Sequence, residues 1–441
     1  MAVGVALVTL ANVGHSQGLR TTISQLFIFG SGEDPLFLGG TADPNNPASI
    51  RAHGAHFVPS AVGANGSIIN FLTTSIGSNV ASTPIGSTSG GETFRFEGGI
   101  PVRTSTSAGP IFAERGQTLG QGRSVIGVGR TSSHMSTLRG VDMHAIDLIF
   151  THQNVDFAGC DSVQGGLSCK QMGVPLLEND IMQFKLNLDL NVQVTAIYAT
   201  YGVSNNIDLG LVIPIVSTSL HGTSNASIVP FGGPTVAHFF AGTPSNPVLA
   251  ASRDVDGSAI GLGDVAVRTK INLHQTAQSA IALLGEARFA TGNDEDLLGA
   301  GHFGARGMAI VSTRVGDFSA HGNAGYLYRS GGVTNSAVTG VVGFDDLIAP
   351  HVTLAADLVS ELQVGRSKLT LPSPVQYDYP FKRTINPTSI PSMADDIVNG
   401  SFGFKFTTNS GITVVTNALI PLNRGGLRAN LTYTTGLEYA F

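Results

Sequence analysis

The chain has 441 residues, a net charge of −6 at pH 7 and a charged fraction of 12%, about half of the roughly 25% usual in soluble domains. The negative charge argues against a nucleic-acid partner, and the lack of any run of about 18 apolar residues excludes transmembrane helices. An apolar composition without a long apolar run is typical of a transmembrane β-barrel, whose strands alternate apolar and polar residues.

The first seventeen residues resemble a secretion signal. Positions 3–13 form an apolar core, and Gly14 and Ser16 are small residues of the kind that a cleavage site requires. The basic start of such signals is missing, because Arg20 is the first charged residue. We predict a residual signal peptide over residues 1–17 and export from the cytoplasm.

Residues 18–90 show little periodicity and are rich in Gly, Ser, Asn and Pro. An irregular segment of this length is uncommon in a compact domain unless a larger scaffold shelters it. We predict that residues 18–90 form an amino-terminal plug and that residues 91–441 form the barrel around it.

Cys160 and Cys169 lie in one polar segment between strand-like stretches. A nearby pair in an exported chain predicts a disulfide that closes a surface loop, and two free thiols are the alternative. The spacing does not match a metal site, and we expect no metal and no cofactor.

Stretches of about ten residues then alternate apolar and polar side chains to the end of the chain. Residues 185–195 are the first strong example, with leucines and valines on one face and polar residues on the other. A tilted strand needs about 9–11 residues to cross a bilayer core. Short turns alternate with longer loops between the stretches, as in outer-membrane barrels. We predict an all-β fold, a transmembrane antiparallel barrel of about 14 strands within a range of 12 to 16.

The polar faces of these strands are predicted to line the lumen. Charges of both signs there can pair across strands and hold a plug in place, or they can form a gated route for a polar solute. The predicted lumen-facing polar network consists of Asp189, Asp208, Asp264, Arg268, Lys270, Glu286, Arg288, His321, Asp357 and Glu361.

Asn293 and the three acidic residues 294–296 fall in a predicted outer loop. They could bind Ca²⁺ or bridge to lipopolysaccharide through divalent ions, or they could form a merely solvated loop.

The last strand, residues 427–441, alternates apolar and polar residues and stops on an aromatic residue. This ending resembles the terminal signal of bacterial outer-membrane barrels. We predict that Tyr439 and Phe441 form the signal for the barrel assembly machinery.

Several segments together resemble one known group of proteins. They are residues 109–115 (GPIFAER), 201–210, 261–265 and 290–293. The group comprises outer-membrane transport proteins for hydrophobic compounds, namely FadL-type long-chain fatty acid transporters and barrels linked to phenol and aromatic degradation. The resemblance covers residues 94–441 and implies a plugged barrel of about 14 strands that carries a hydrophobic ligand laterally or inward.

We therefore predict transport of a long-chain fatty acid or an aromatic hydrocarbon across the bacterial outer membrane, by a protein that is not an enzyme. Expected partners are this substrate, outer-membrane lipid and lipopolysaccharide, and the assembly machinery. Three alternatives stay open: a porin-like channel for polar solutes, a structural or adhesive barrel acting through its outer loops, and a lipid hydrolase. The last would use Ser16 in a G-x-S-x-G segment that lacks the α/β pattern expected after it.

Overall fold

The computed structural model describes most of the chain from residue 18 onwards. Residues 1–17 lie outside the described residues, and so do Cys160 and Cys169, so the predicted signal peptide and disulfide stay predictions. The described residues are 18–27, 29, 39–40, 66–82, 94–97, 100–103, 107–151, 180–230, 238–243, 245–331, 334–371, 374–377 and 381–441.

Two helices precede the sheet, α1 (Leu19–Ser24), continued by a 3-10 turn (Gln25–Phe27), and α2 (Gly66–Ser82). No helix in the described part of the chain is long and apolar enough to cross a membrane. The strands are β1 (Gly39–Gly40), β2 (Phe94–Glu97), β3 (Ile100–Arg103), β4 (Ser124–Leu138), β5 (Val141–Asp142), β6 (Ile146–Thr151), β7 (Ile181–Ser204), β8 (Ile207–Val229), β9 (His238–Phe239), β10 (Ala241–Thr243), β11 (Asn246–Val248), β12 (Ala250–Leu262), β13 (Ala266–Gln275), β14 (Ser279–Arg288), β15 (Gly304–Val315), β16 (Phe318–Arg329), β17 (Ala337–Ala349), β18 (Val352–Gln363), β19 (Val375–Tyr377), β20 (Arg383–Ile385), β21 (Ile397–Thr407), β22 (Ile412–Pro421) and β23 (Leu427–Ala440).

Twelve of the described strands close into an antiparallel barrel. Hydrogen-bonded neighbours run β4-β7-β8-β13-β14-β15-β16-β17-β18-β21-β22-β23 and return to β4. At the closure, the backbones of Ser124 and Phe441 exchange two hydrogen bonds of 2.9 Å. Closure removes free strand edges, which a bilayer does not tolerate. The predicted all-β barrel is confirmed, with a strand count at the lower end of the predicted range.

An apolar belt surrounds the barrel. Outward positions carry exposed side chains such as Leu283, Val342 and Phe402, whereas the alternate positions are buried. Water does not favour so continuous an apolar surface, while outer-membrane barrels carry an apolar band about 25 Å tall. The protein is therefore a bacterial outer-membrane β-barrel.

The two ends of the barrel have different connections. Turns of two to four residues, at 205–206, 276–278, 316–317, 350–351 and 408–411, join strands at one end, and longer segments join them at the other. Short turns are periplasmic in outer-membrane barrels, so the longer connections face the cell exterior. Tyr439 and Phe441 stack at the short-turn end with ring centroids 5.6 Å apart. Their function as an assembly signal stays a prediction.

Strands β7 and β8, of 24 and 23 residues, are about twice as long as a bilayer crossing requires. Their outer halves pair with β6 and β12 and form a four-stranded extension beyond the belt. On the outward face of β7, exposed Ile197 and Tyr201 give way to polar Asn187 and Asp189. The apolar belt therefore ends near Thr195.

The inner face of this extension is apolar. Leu186, Leu188 and Leu190 pack in one hydrophobic cluster with Leu19 and Ile23 of α1. The extension has water outside and an apolar core inside, which reverses the polarity of a lipid-facing strand.

Asp189 was predicted to face the lumen. Its side chain lies instead on the outer face, 44% exposed and 3.5 Å from His134 Nδ1. The reversed polarity of the extension is the reason for this difference.

The barrel wall begins later than the predicted barrel domain. The first wall strand starts at Ser124, and residues 107–120 lie inside the barrel rather than in its wall. Their glycines, prolines and polar residues favour an irregular segment, which is tolerated at membrane depth only when protein surrounds it.

Candidate functional site

A segment without regular secondary structure, residues 107–120, crosses the interior at the periplasmic end, and we call it the strap. Its backbone N–H groups donate to side chains on successive strands. Ala108 N lies 2.7 Å from Thr353 Oγ1, and Gly116 N lies 3.0 Å from Ser312 Oγ. These bonds replace the hydrogen bonds that an irregular backbone would otherwise lack, so the strap is attached to the wall along its length.

The strap is also anchored by a buried ion pair. Arg115 donates to Asp345 on β17, and both side chains contact Ser107; the Arg115 and Asp345 side chains are at most 5% exposed. Beside them, His321 Nε2 lies 2.6 Å from Asp357 Oδ1, and His321 Nδ1 lies 3.5 Å from Asp345 Oδ1. Loss of one partner from such a pair is strongly unfavourable, so this cluster fixes the first part of the strap.

Glu286 is a single carboxylate shared by three arginines. Arg268 Nε lies 2.6 Å from Glu286 Oε2, Arg306 Nη2 lies 2.9 Å from the same oxygen, and Arg288 Nη2 lies 3.2 Å from Oε1. The strand register places Arg268, Glu286 and Arg306 side by side on β13, β14 and β15. This row is a strongly cationic part of the inner wall.

A second row joins this wall to the strap. Lys270 Nζ lies 3.5 Å from Glu114 Oε2 and 3.8 Å from Asp208 Oδ2. Asp208 also accepts the backbone N–H of Leu119 at 3.1 Å, and Glu114 lies 3.9 Å from Arg268. Glu114 therefore connects the strap to the arginine row.

On the opposite side of the barrel, Lys405 Nζ lies 3.4 Å from Glu438 Oε2, and the Tyr198 hydroxyl donates to Glu438 Oε1 at 2.9 Å. The Tyr198 ring occupies the space above Gly127, where a side chain would collide with it. This group links four strands near the closure of the ring.

Regular strand structure stops between β12 and β13, at residues 263–265, although the Gly263 N–H still donates to the Pro214 carbonyl at 2.8 Å. Residues 289–303 cover this place. Asp264 accepts the N–H groups of Gly292 at 3.0 Å and Ala300 at 2.8 Å. The Thr291 hydroxyl donates to the Gly263 carbonyl at 2.6 Å. We call this place the seam; Asp264 holds the covering loop in position there.

The acidic residues of the covering loop contact the amino-terminal helix. Arg20 of α1 lies 3.7 Å from Asp294 and 3.5 Å from Glu295, and its N–H donates to the Glu295 carbonyl at 2.9 Å. These carboxylates therefore contribute to docking α1, and a role in binding divalent ions stays a prediction.

A cavity of about 210 Å³ lies between the strap and helix α2. Phe112 and Glu114 of the strap and Ser78 and Asn79 of α2 take part in its lining. Its apolar wall includes Met135, Val192, Val194, Leu284, Met308, Leu327, Val341, Val359, Ile397, Leu419 and Leu427, and its charged lining consists of Glu114, Arg268, Glu286, Arg288, Arg306, Arg329, Glu361 and Arg428.

Of the ten predicted lumen residues, all except Asp189 lie on the inner side of the wall or at the seam. Arg268, Glu286 and Arg288 share the arginine row, and Glu361 pairs with Arg329 at 2.7 Å near the outer end. The nine residues are Asp208, Asp264, Arg268, Lys270, Glu286, Arg288, His321, Asp357 and Glu361.

Sequence analysis missed several of the partners. Glu114 and Arg115 fall in residues 109–115, which contributed only to the family resemblance, and Asp345 is not in the predicted network. Arg306 alternates with alanine and glycine, so its strand gives a weak apolar pattern. The signal that could have indicated Arg306 is a charged residue between two small residues in a barrel sequence.

No protein-family model matches the chain, and no curated protein matches it. Solved structures with a similar fold include an outer membrane channel from Pseudomonas putida F1, with 11% identity and a TM-score of 0.41 over 74% of this chain and 97% of that chain. A FadL homologue from Pseudomonas aeruginosa has 9% identity and a TM-score of 0.30 over 72% and 88%. The TodX monoaromatic hydrocarbon channel, as a deltaS2 mutant, has 10% identity and a TM-score of 0.33 over 74% and 92%. The neighbours thus include members of the group that the sequence resembles; at these identities the likeness is one of fold alone.

Proposed function

We propose that the protein transports hydrophobic small molecules across the outer membrane through the interior of its barrel. The observation that carries this proposal is the largely apolar cavity inside the lumen, which lies between the strap and α2. A general channel for polar solutes needs an open aqueous lumen, whereas the strap crosses the lumen here. We expect no catalytic activity.

The cavity volume favours the smaller of the two predicted substrate classes. An apolar cavity of about 150 Å³ is enough to hold benzene, and this cavity is about 210 Å³. A single aromatic ring with small substituents therefore fits, and a long-chain fatty acid would need the strap or α2 to move.

The seam supports a lateral route for such a ligand. Regular strand structure stops at residues 263–265, and most of the hydrogen bonds that hold the cover there involve the side chains of Asp264 and Thr291. Backbone bonds also join this cover to its surroundings, from Phe289 to Val265 and from Arg20 to Glu295. A cover held mainly by side-chain bonds can open locally without unpairing a long strand.

Filling the cavity is expected to block uptake. We expect Leu284→Trp to lower the uptake of toluene by cells roughly tenfold, since overfilling a packed site typically costs ~1–3 kcal/mol. The matched control is Leu283→Trp on the neighbouring outward position, where the wild-type side chain is 47% exposed, and it should transport normally. Uptake of radiolabelled toluene by cells that carry each variant, against cells without the protein, measures both.

If cells with either tryptophan variant take up toluene equally fast, this cavity is not part of the transport route. If neither toluene nor a long-chain fatty acid enters in a protein-dependent way, while purified barrels conduct ions steadily in planar bilayers, a porin-like channel is the better description.

The extension beyond the belt favours a second function, surface attachment. Its outer face is polar, and the exposed hairpin of β10 and β11 comes directly before β12 in the chain. If deleting residues 241–248 abolished binding of cells to a surface and left toluene uptake unchanged, the extension would have this separate function.

We further propose that the apolar belt contacts outer-membrane lipid and lipopolysaccharide, and that Tyr439 and Phe441 are read by the barrel assembly machinery. Both rings are exposed on the outer surface, next to the strand closure at Ser124. Both rings are therefore accessible from the outer surface at the strand where the ring closes.

A further inference from the structure

The lumen cavity is more cationic than a purely hydrocarbon ligand requires. Among the described residues that line it, arginines exceed glutamates by two. His302 also lines the cavity from the outer loop, and burial lowers the pKa of its imidazole, so it adds no charge at pH 7. An apolar cavity with a net positive lining favours a ligand that carries a negative charge.

The charge excess is located at two places. Arg288 and Arg306 share the carboxylate of Glu286 with Arg268, and within the described part of the chain Arg306 Nε has no hydrogen-bond acceptor. Arg428 is buried, and it donates to the Asn423 side chain at 3.1 Å and to a backbone carbonyl at 3.0 Å. In the described residues, no carboxylate lies within ion-pair distance of Arg428.

We infer that the cavity binds a compact organic anion, a carboxylate carried on an apolar body of about one ring, with the carboxylate against Arg288 and Arg306. The inference rests on the proposed transport function and names the substrate class of the same cavity. A guanidinium presents a planar set of donors that matches a carboxylate. The apolar body then lies against side chains such as Leu284 and Met308, which line the same cavity.

A neutral hydrocarbon fits these groups less well. Its binding would remove water from guanidinium donors and offer no acceptor in return, which is costly for a charged group. A long-chain acid has the right head group, but its chain exceeds a cavity of about 210 Å³. The combination of charge and volume therefore selects a short, anionic and partly apolar molecule.

The test compares two ligands of the same shape and different charge. We would titrate benzoate and benzamide into the purified full-length barrel in detergent and measure the heat of binding. Benzoate is expected to bind at least roughly tenfold more tightly than benzamide, since hydrogen bonds to charged groups are the stronger ones. Palmitate is expected to bind more weakly than benzoate.

Arginine variants locate the site. Arg306→Gln is expected to weaken benzoate binding roughly tenfold and benzamide binding by a smaller factor, because the amide carries no charge. Arg306→Lys should give an intermediate value for benzoate. The matched control is Arg130→Gln, because Arg130 lies on the outer face of β4 and contacts Gln193. Heat-modified electrophoretic mobility of each variant shows that the barrel is folded.

The outcomes distinguish this inference from the transport proposal. Equal binding of benzoate and benzamide, tighter binding of palmitate than of benzoate, or benzoate binding that Arg306→Gln leaves unchanged in a folded barrel would overturn the inference. Protein-dependent toluene uptake together with no benzoate binding would do the same and leave transport standing. Benzoate binding without protein-dependent uptake of any ligand would instead overturn the transport proposal.

Discussion

Asp345→Asn is expected to turn a mostly closed barrel into one that conducts ions. The substitution takes away the buried carboxylate that Arg115 contacts, and removing one partner of a buried ion pair typically costs ~3–5 kcal/mol. In the closed barrel of this variant Arg115 is buried without its carboxylate, whereas release of the strap exposes Arg115 to water and removes this cost. The open population should therefore rise roughly a hundredfold or more, measured as the time-averaged conductance of single barrels in planar bilayers.

The neighbouring residue supplies the control for this experiment. Asp346 lies on the outward-facing side of the same strand, so Asp346→Asn removes the same charge without touching the strap. Adding Arg115→Met to Asp345→Asn should restore low conductance, because no unpaired buried charge then remains. If Asp345→Asn and Asp346→Asn conduct equally, this ion pair does not hold the strap.

Glu286→Gln is expected to cause a large loss of stability. It keeps the shape of the side chain but leaves Arg268, Arg288 and Arg306 without the carboxylate that they share. The remaining guanidiniums repel one another in a site where the Glu286 side chain is 4% exposed. We expect the free energy of unfolding to fall by ~3–5 kcal/mol, measured from urea unfolding in detergent by the shift in electrophoretic mobility.

Two further variants test whether the loss of stability comes from the carboxylate that the three arginines share. Glu295→Gln removes a carboxylate that is 58% exposed and pairs with Arg20, and exposed pairs typically contribute ~1 kcal/mol or less. Adding Arg306→Gln to Glu286→Gln should recover part of the loss, because it lowers the repulsion. If Glu286→Gln and Glu295→Gln were equally stable, the shared-carboxylate account would be wrong.

The strands that cross the bilayer are the part of the fold that sequence reasoning predicted well. On β14, the alternation places Ile281 and Leu283 outward and Leu284 and Glu286 inward, and the structure has this arrangement. Lipid on one side and a polar interior on the other impose a period of two residues on each strand. A local pattern of this kind is readable without knowledge of the partners.

The same pattern could not decide which face points inward on β7. The periplasmic half of β7 crosses the bilayer, and its outer half belongs to the extension. The apolar face therefore points to lipid in the first half and to the interior in the second. The change depends on Leu19 and Ile23 covering the inner face, and these residues are far away in sequence. The ring has fewer strands than the central prediction because β2 and β3 pair only with each other and residues 107–120 form the strap.

The sequence by itself determined an alternating, charge-poor chain that closes as an outer-membrane barrel, because the bilayer acts on each strand separately. Only the tertiary structure decided that residues 107–120 cross the lumen, that Arg115 pairs with Asp345, and that Glu286 forms ion pairs with three arginines. These contacts join residues from distant parts of the chain or from three adjacent strands, and the path of the strap and the strand register bring them together. Periodicity indicates the face of a residue, whereas the identity of its partner follows from the closed ring.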